Sequence, residues 1–183
     1  MPMTQQYSKK DFQALDDVLP FQDRGGDSDS LKLALRSLAG GVSVITAGDG
    51  DERTGATVTS ATALSVDPPR MLVSLNRSSS TWPVVEKFGA FAVNILGSRH
   101  EALANQFAGI GGLKGPDRYR GFEWTRLATG APLLDDAVAA IDCTIEEAIE
   151  RHSHVIVIGK VHAVRVTGRR SLVYQGGAYH HLG

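Results

Sequence analysis

The sequence has one cysteine, no long apolar run and almost no net charge, and each of these shortages excludes a class of protein. Cys143 alone cannot form an intrachain disulfide or a cysteine metal cluster. No apolar run approaches the length that spans a bilayer, and the N-terminus lacks the sections of a signal peptide. A net charge of -1 gives no reason to expect nucleic acid or an anionic membrane as a partner. We therefore expect a cytoplasmic protein.

The common catalytic motifs are also missing. The sequence contains no Walker A, GxSxG or HExxH pattern. His152 and His154 would lie on one face of a strand, but no further ligands complete a set of three or four, so we predict no metal site. The glycine-rich run at Gly109–Gly112 follows a predicted helix, which is the wrong context for a dinucleotide-binding turn.

What the sequence does have is a stretch of small side chains and hydroxyls over Thr54–Pro69, reading TGATVTSATALSVDPP. Small residues bury little apolar area, yet they let a flat ligand approach the backbone, and hydroxyls offer neutral donors. A tightly packed threonine-rich strand would look the same. A second hydroxyl cluster over Ser74–Thr81 favours a ligand site. Arg53 and Arg77 flank the two stretches, either as phosphate contacts or as surface charges.

Hydrophobic periodicity predicts many short strands within a single domain over residues 28–183, preceded by a mobile arm or strap over residues 1–27. A helix over Ser28–Ala39 has Ser28, Asp29 or Ser30 as possible caps. Two more helices follow, one capped by Thr81 and one that starts with capping-box spacing at Ser98. The predicted strands are Val42–Ala47, a return strand within Thr54–Pro69, Arg70–Asn76, Ala90–Leu96, Ala139–Glu146, His154–Val166, Leu172–Gln175 and Ala178–Leu182.

Seven or eight such strands with two or three inserted helices predict a mainly β protein. Short strands at close spacing, separated by turns, are typical of a closed or nearly closed antiparallel barrel. The neutral donors and accessible glycines suit a planar cofactor that carries its own reactivity.

An ordered set of segments covering most of the chain resembles one family. The segments are GGVSVIT (40–46), TGATVTSATALSVDPPRMLVSLN (54–76), SSSTW (78–82), FAVNIL (91–96), NQFAG (105–109), KGPDRYRGFEW (114–124), HVIVIGKV (154–161) and LVYQGGAYHHL (172–182). In this set the chain resembles the short-chain flavin reductases, the NAD(P)H:flavin oxidoreductase components of two-component flavin-dependent monooxygenases. The resemblance implies the flavin-binding split barrel, a Greek-key antiparallel fold, and a homodimer with flavin near the subunit interface.

The resemblance also implies which residues contact flavin. They are Thr54, Gly55, Ala56, Thr57, Thr59, Ser60, Ser74, Leu75, Asn76, Ser80, Thr81, Gln106 and Phe107. Ser80 and Thr81 stand where a helix is predicted to start, and helix N-termini favour phosphate. Phe107 would pack on a ring of the flavin or on its adenine.

The nicotinamide side of the family's site has a Gly-Asp-His pattern ahead of the penultimate long strand. This chain reads His152-Ser153-His154 there, so the histidine is kept as His154 and the other two residues are replaced. We expect His154 to position the nicotinamide. The last hairpin would add Tyr174, Gln175 and Gly176. The replacement leaves the choice between NADH and NADPH open.

The implied reaction is hydride transfer from C4 of NADH or NADPH to N5 of FAD or FMN. The protein would hold two flat rings together, with no acid or base for that step, and a separate oxygenase would receive the reduced flavin. Two alternatives stay open: a non-enzymatic flavin or haem carrier or electron-transfer flavoprotein, and a split-barrel oxidase acting on another small substrate.

Overall fold

The structure is a computed structural model, and it describes residues 23–168 and 170–182. Most of the predicted N-terminal arm, residues 1–22, lies outside the described residues. The helix α1, Ser28–Arg36, is the first regular element of the described residues. Its cap is Asp27, whose carboxylate accepts hydrogen bonds from the backbone N–H groups of Asp29 and Ser30.

Two short helices follow, α2 at Trp82–Phe88 and α3 at Glu101–Phe107. Thr81 occupies the cap position of α2, but its hydroxyl makes no capping bond, so the predicted threonine cap is wrong. Before α3, Ser98–His100 forms a turn of 3₁₀ helix. There the Gly97 backbone N–H donates to His100 Nδ1 at 3.0 Å, in place of the capping box predicted for Ser98.

Within the described residues the rest of the regular structure is strand, apart from turns of 3₁₀ helix at Gly50–Glu52 and Gly115–Tyr119, and the mainly β prediction is confirmed. The strands are β1 Gly40–Gly41, β2 Ser43–Ala47, β3 Thr54–Val58, β4 Ala61–Ser65, β5 Arg70–Asn76, β6 Ala90–Ile95, β7 Trp124–Arg126, β8 Pro132–Leu134, β9 Ala139–Arg151, β10 His154–Val166, β11 Leu172–Gln175 and β12 Ala178–His181.

The main sheet is antiparallel, with the strand order β3-β2-β6-β9-β10-β5-β4. Its two edge strands, β3 and β4, are consecutive in the chain and are joined only by Thr59 and Ser60. The sheet must therefore curve until its edges come together. Among the described strands no pairing joins β3 to β4, so hydrogen bonding does not close the sheet into the predicted barrel.

A smaller sheet, β1-β11-β12, and the β7–β8 hairpin complete the fold. Two apolar clusters form the core. One includes Val73, Phe91 and Val157 together with Trp82 of α2. The other joins α3 to the β7–β8 hairpin and Leu172. The second cluster holds α3 and the last hairpin in position, and these two elements shape the site.

Candidate functional site

A cavity of about 680 Å³ lies between the end of β3, one face of α3 and the β11–β12 hairpin. Its volume is in the range of small-molecule sites. The described residues that line it are Val42, Thr57, Val58, Thr59, Glu101, Asn105, Ala108, Ile110, Tyr174, Gly177, Ala178 and Tyr179. Of the predicted site residues it therefore brings together Thr57, Thr59 and Tyr174. Glu101 is the one charged residue among those that line it.

Strand β3 and helix α3 pack closely and form one wall. The strand residues at their contact have small side chains, and a hydrogen bond joins the two elements. The Thr57 hydroxyl donates to the Ala104 carbonyl at 2.6 Å, which fixes the helix to the strand. A Cβ at Gly55 would come within 2.7 Å of Phe107 Cε1. Part of the small-residue signal in Thr54–Pro69 thus has a packing cause: it lets α3 approach closely.

The β11–β12 hairpin forms the opposite wall. The rings of Tyr174 and Tyr179 meet edge to face, with their centroids 5.2 Å apart. Gln175 Nε2 donates to the Ser37 carbonyl at 3.1 Å, which joins the hairpin to the chain after α1. Burial, followed by the neighbouring Tyr174 and Glu101, raises the pKa of Tyr179 above its ordinary value, so its phenol stays protonated.

A second group of predicted residues lies where β5 meets the β9–β10 hairpin. The Ser60 hydroxyl donates to the Ser74 carbonyl at 2.9 Å. Asn76 pairs in register with His154. Asn76 and His154 are exposed, whereas Leu75 between Ser74 and Asn76 is buried. Since Thr59 lines the cavity and Ser60 contacts β5, the two-residue link between the sheet edges connects this group to the cavity along the chain.

The hairpin turn before His154 holds an uncommon backbone conformation. His152 has φ 51, in the left-handed region that favours glycine. The glycine that the family resemblance implies at this position would suit the turn without that cost. Among the described residues, no three His, Cys, Asp or Glu side chains are grouped to hold a metal ion.

Several predicted flavin contacts have buried side chains. Thr54 is 4% exposed, Leu75 and Phe107 are 2% exposed, and Thr81 is fully buried. Phe107 packs edge to face on Tyr119, with centroids 5.1 Å apart. In this conformation these residues present only backbone atoms, if any, to a ligand.

Four further predicted contacts have specific surroundings. The Gln106 amide donates to the carbonyls of Arg118 and Arg120, which fixes the loop after α3. Ser80 is exposed, whereas Ala56 and Gly176 are half-buried. None of these four is among the described residues that line the cavity.

Sequence reasoning missed Glu101, Asn105 and Tyr179. The first two, with Ala108, share one face of α3 by their spacing of four and three residues, and this signal was present in the sequence. Tyr179 is five residues from Tyr174 on the neighbouring strand, and its role depends on the register of the hairpin, in which the two are paired. Hairpin register could have been inferred from the Gly176-Gly177 turn.

Comparisons with known proteins agree with this geometry. The model of the flavin reductase like domain matches residues 35–183. The chain belongs to this family. It is 39% identical over 147 residues to "FMN reductase (NADH) RutF 2" of Methylorubrum extorquens (strain PA1), covering 80% of this chain and 84% of that protein.

Solved structures of relatives share the fold. BorF, the flavin reductase component of a bacterial two-component tryptophan halogenase, is 32% identical, with a TM-score of 0.78 over 85% of this chain and 98% of that one. The NADH:FAD oxidoreductase SgcE6 of Streptomyces globisporus C-1027 is 27% identical, with a TM-score of 0.81 over 90% of this chain and 99% of that one. In the described part of the chain, no helix combines the length and apolar character that crossing a membrane requires.

Proposed function

We propose that this flavin reductase-family protein catalyses the reduction of FMN or FAD by NADH. The observation that carries the proposal is the cavity of about 680 Å³ between β3 and the last hairpin. Its walls supply small side chains, neutral donors and two aromatic rings, which suit flat, hydrogen-bonding ligands. The names of the relatives, an FMN reductase that uses NADH and an NADH:FAD oxidoreductase, support the same substrates.

The residues present fit a flavin. Thr57 of β3 and Thr59 just after it line the cavity with small side chains. A planar ring can therefore approach the backbone there. When bound, the flavin accepts a hydride at N5, and the protein need supply no acid or base for that step. The chain's part is to hold the two rings in contact and to exclude other geometries.

The charge of the cavity suggests how the ligands are oriented. No Lys, Arg or His is among the described residues that line it, so ligand phosphates have no cation to meet inside. We propose that the rings enter the cavity and that phosphates lie outside it, toward Ser80 and the start of α2.

The predicted nicotinamide residues lie in two places within one chain. Tyr174 lines the cavity, whereas His154 lies beside Asn76 at the end of β5. A second copy of the chain that placed His154 against the cavity of its neighbour would complete the site. We propose a homodimer on this ground. An apolar surface for it is offered by Leu31 and Leu35 of α1, 59% and 52% exposed, and by Leu38 just beyond the helix end, 66% exposed.

The reduced flavin would serve a separate oxygenase. BorF is named as one component of a two-component system, and this relative supports a similar arrangement here. A cytoplasmic location, where a nicotinamide donor is available, is part of the proposal.

The test is a steady-state assay. The purified protein is mixed with NADH or NADPH and an excess of FMN or FAD, and nicotinamide absorbance is followed. We expect flavin-dependent oxidation of NADH. A protein that binds flavin but oxidises neither nucleotide with either flavin would instead be a carrier, and the reductase proposal would be wrong.

A further inference from the structure

We infer that Glu101 of α3, with Tyr174 and Tyr179 of the facing hairpin, forms a subsite for a flat cation, the oxidised nicotinamide ring. This inference rests on the proposed reductase function and names a residue that the family resemblance did not supply. Such a subsite would recognise the positive charge that the reaction creates on the nicotinamide, in addition to the flat shape of the ring.

The geometry brings a carboxylate of α3 close to two aromatic rings of the facing β11–β12 hairpin. Glu101 and both tyrosines line the cavity, and the two rings meet at 5.2 Å between centroids. The Glu101 carboxylate is close enough to Tyr179 to contribute to the raised pKa of that phenol. An aromatic face attracts a cation, and a carboxylate beside it adds a Coulomb attraction.

The surroundings leave this carboxylate available to a ligand. Among the described residues it pairs with His181 of β12, whose Nε2 is 3.3 Å from a Glu101 carboxylate oxygen, and the Glu101 side chain remains 48% exposed. No lysine or arginine is among the described residues that line the cavity. The region of the cavity around Glu101 therefore disfavours binding of a phosphate and favours binding of a positively charged group.

The proposed reaction creates such a charge. A hydride, carrying two electrons, leaves C4 of the neutral dihydronicotinamide and forms a bond to flavin N5. The nicotinamide becomes a pyridinium of charge +1, and the flavin becomes the reduced anion. A carboxylate beside the nicotinamide stabilises the positive charge as it develops, and an interaction that strengthens on the way to the transition state raises kcat.

The test compares Glu101→Gln with wild type by equilibrium binding. Flavin-saturated protein is titrated calorimetrically with NAD+ and with 1,4,5,6-tetrahydro-NAD, an unreactive analogue whose ring is neutral. We expect the substitution to weaken NAD+ by about three- to tenfold and to change the affinity for the neutral analogue by less than about twofold. A parallel fall in kcat for NADH oxidation is expected.

Two further variants make the result specific. Glu101→Asp keeps the charge and should retain the preference for NAD+. Glu147→Gln removes an exposed carboxylate of β9 outside the cavity and should leave both affinities unchanged. The inference is wrong if Glu101→Gln weakens both nucleotides equally, or if it weakens only flavin. Either result can occur while wild type still reduces flavin with NADH, so the two proposals fail separately.

Discussion

Gly55 of β3 and Phe107 of α3 lie so close that no side chain fits between them. A Cβ on Gly55 would come within 2.7 Å of Phe107 Cε1 and would also clash with the Ile45 carbonyl oxygen. Both obstacles are firm, since Ile45 belongs to the neighbouring strand and the Phe107 ring is buried against Tyr119. The contact therefore fixes how near the helix that lines the cavity comes to the sheet.

Gly55→Ala should destabilise the protein by about 1–3 kcal/mol, because the methyl group overpacks a filled core. It should also weaken flavin binding, since α3 must move outward. Denaturant unfolding and a flavin titration measure the two effects. Gly41→Ala is the matched control, because a Cβ there meets nothing within 4 Å. Equal stability of the two variants would show that the close approach of Gly55 to Phe107 does not contribute to the free energy of unfolding.

Strands with strong alternation could be predicted from the sequence. The bounds of β5, β10 and β11 agree with the predicted Arg70–Asn76, His154–Val166 and Leu172–Gln175. In each of them apolar or β-branched residues recur and turn residues stand at one or both ends, so local pattern determines the strand. In contrast, β7 and β8 have three residues each, which is too short for a period to show.

The division of Thr54–Pro69 could not be predicted, because it depends on distant partners. Thr54–Val58 pairs with β2, whereas Ala61–Ser65 pairs with β5 at the other edge of the sheet. Nothing local in Thr59-Ser60 marks this change of partner. The same limit applies to the cavity: Glu101 and Tyr179 are far apart in sequence and meet only because the hairpin folds over α3.

His154→Ala should weaken the use of NADH and leave flavin affinity largely unchanged. His154 is exposed and lies beside Asn76, apart from the cavity wall that β3 and α3 form. We expect the KM for NADH to rise about three- to tenfold, as for loss of one or two hydrogen bonds. His162→Ala, on the same strand, is the control. Equal losses of flavin and NADH affinity would assign His154 to the flavin.

We expect Leu35→Lys to convert the proposed homodimer to a monomer, because a charge in an apolar interface must be desolvated. Leu35 is 52% exposed and shares a face of α1 with Leu31, and Leu38 follows just beyond the helix end. Leu33→Lys serves as the control, since Leu33 is 40% exposed on the opposite face of α1. Sedimentation or light scattering gives the mass. A dimer unaffected by Leu35→Lys would place the interface elsewhere.

His152→Gly should stabilise the protein, which is unusual for a change that removes a whole side chain. His152 has φ 51, and a left-handed conformation costs a non-glycine residue about 1–2 kcal/mol, part of which the greater chain entropy of glycine offsets. We expect a net gain of roughly 0.5–1 kcal/mol in the free energy of unfolding.

The control for this change is His162→Gly, in the interior of β10. There the change weakens the strand and also removes the hydrogen bond between the His162 ring and the Thr144 hydroxyl at 2.8 Å, so a loss of about 1–2 kcal/mol is expected. Opposite signs for the two histidine-to-glycine changes would identify backbone conformation as the cause. If His152→Gly is instead destabilising, the imidazole makes contacts that outweigh the strain, and the turn beside His154 is held by its side chains.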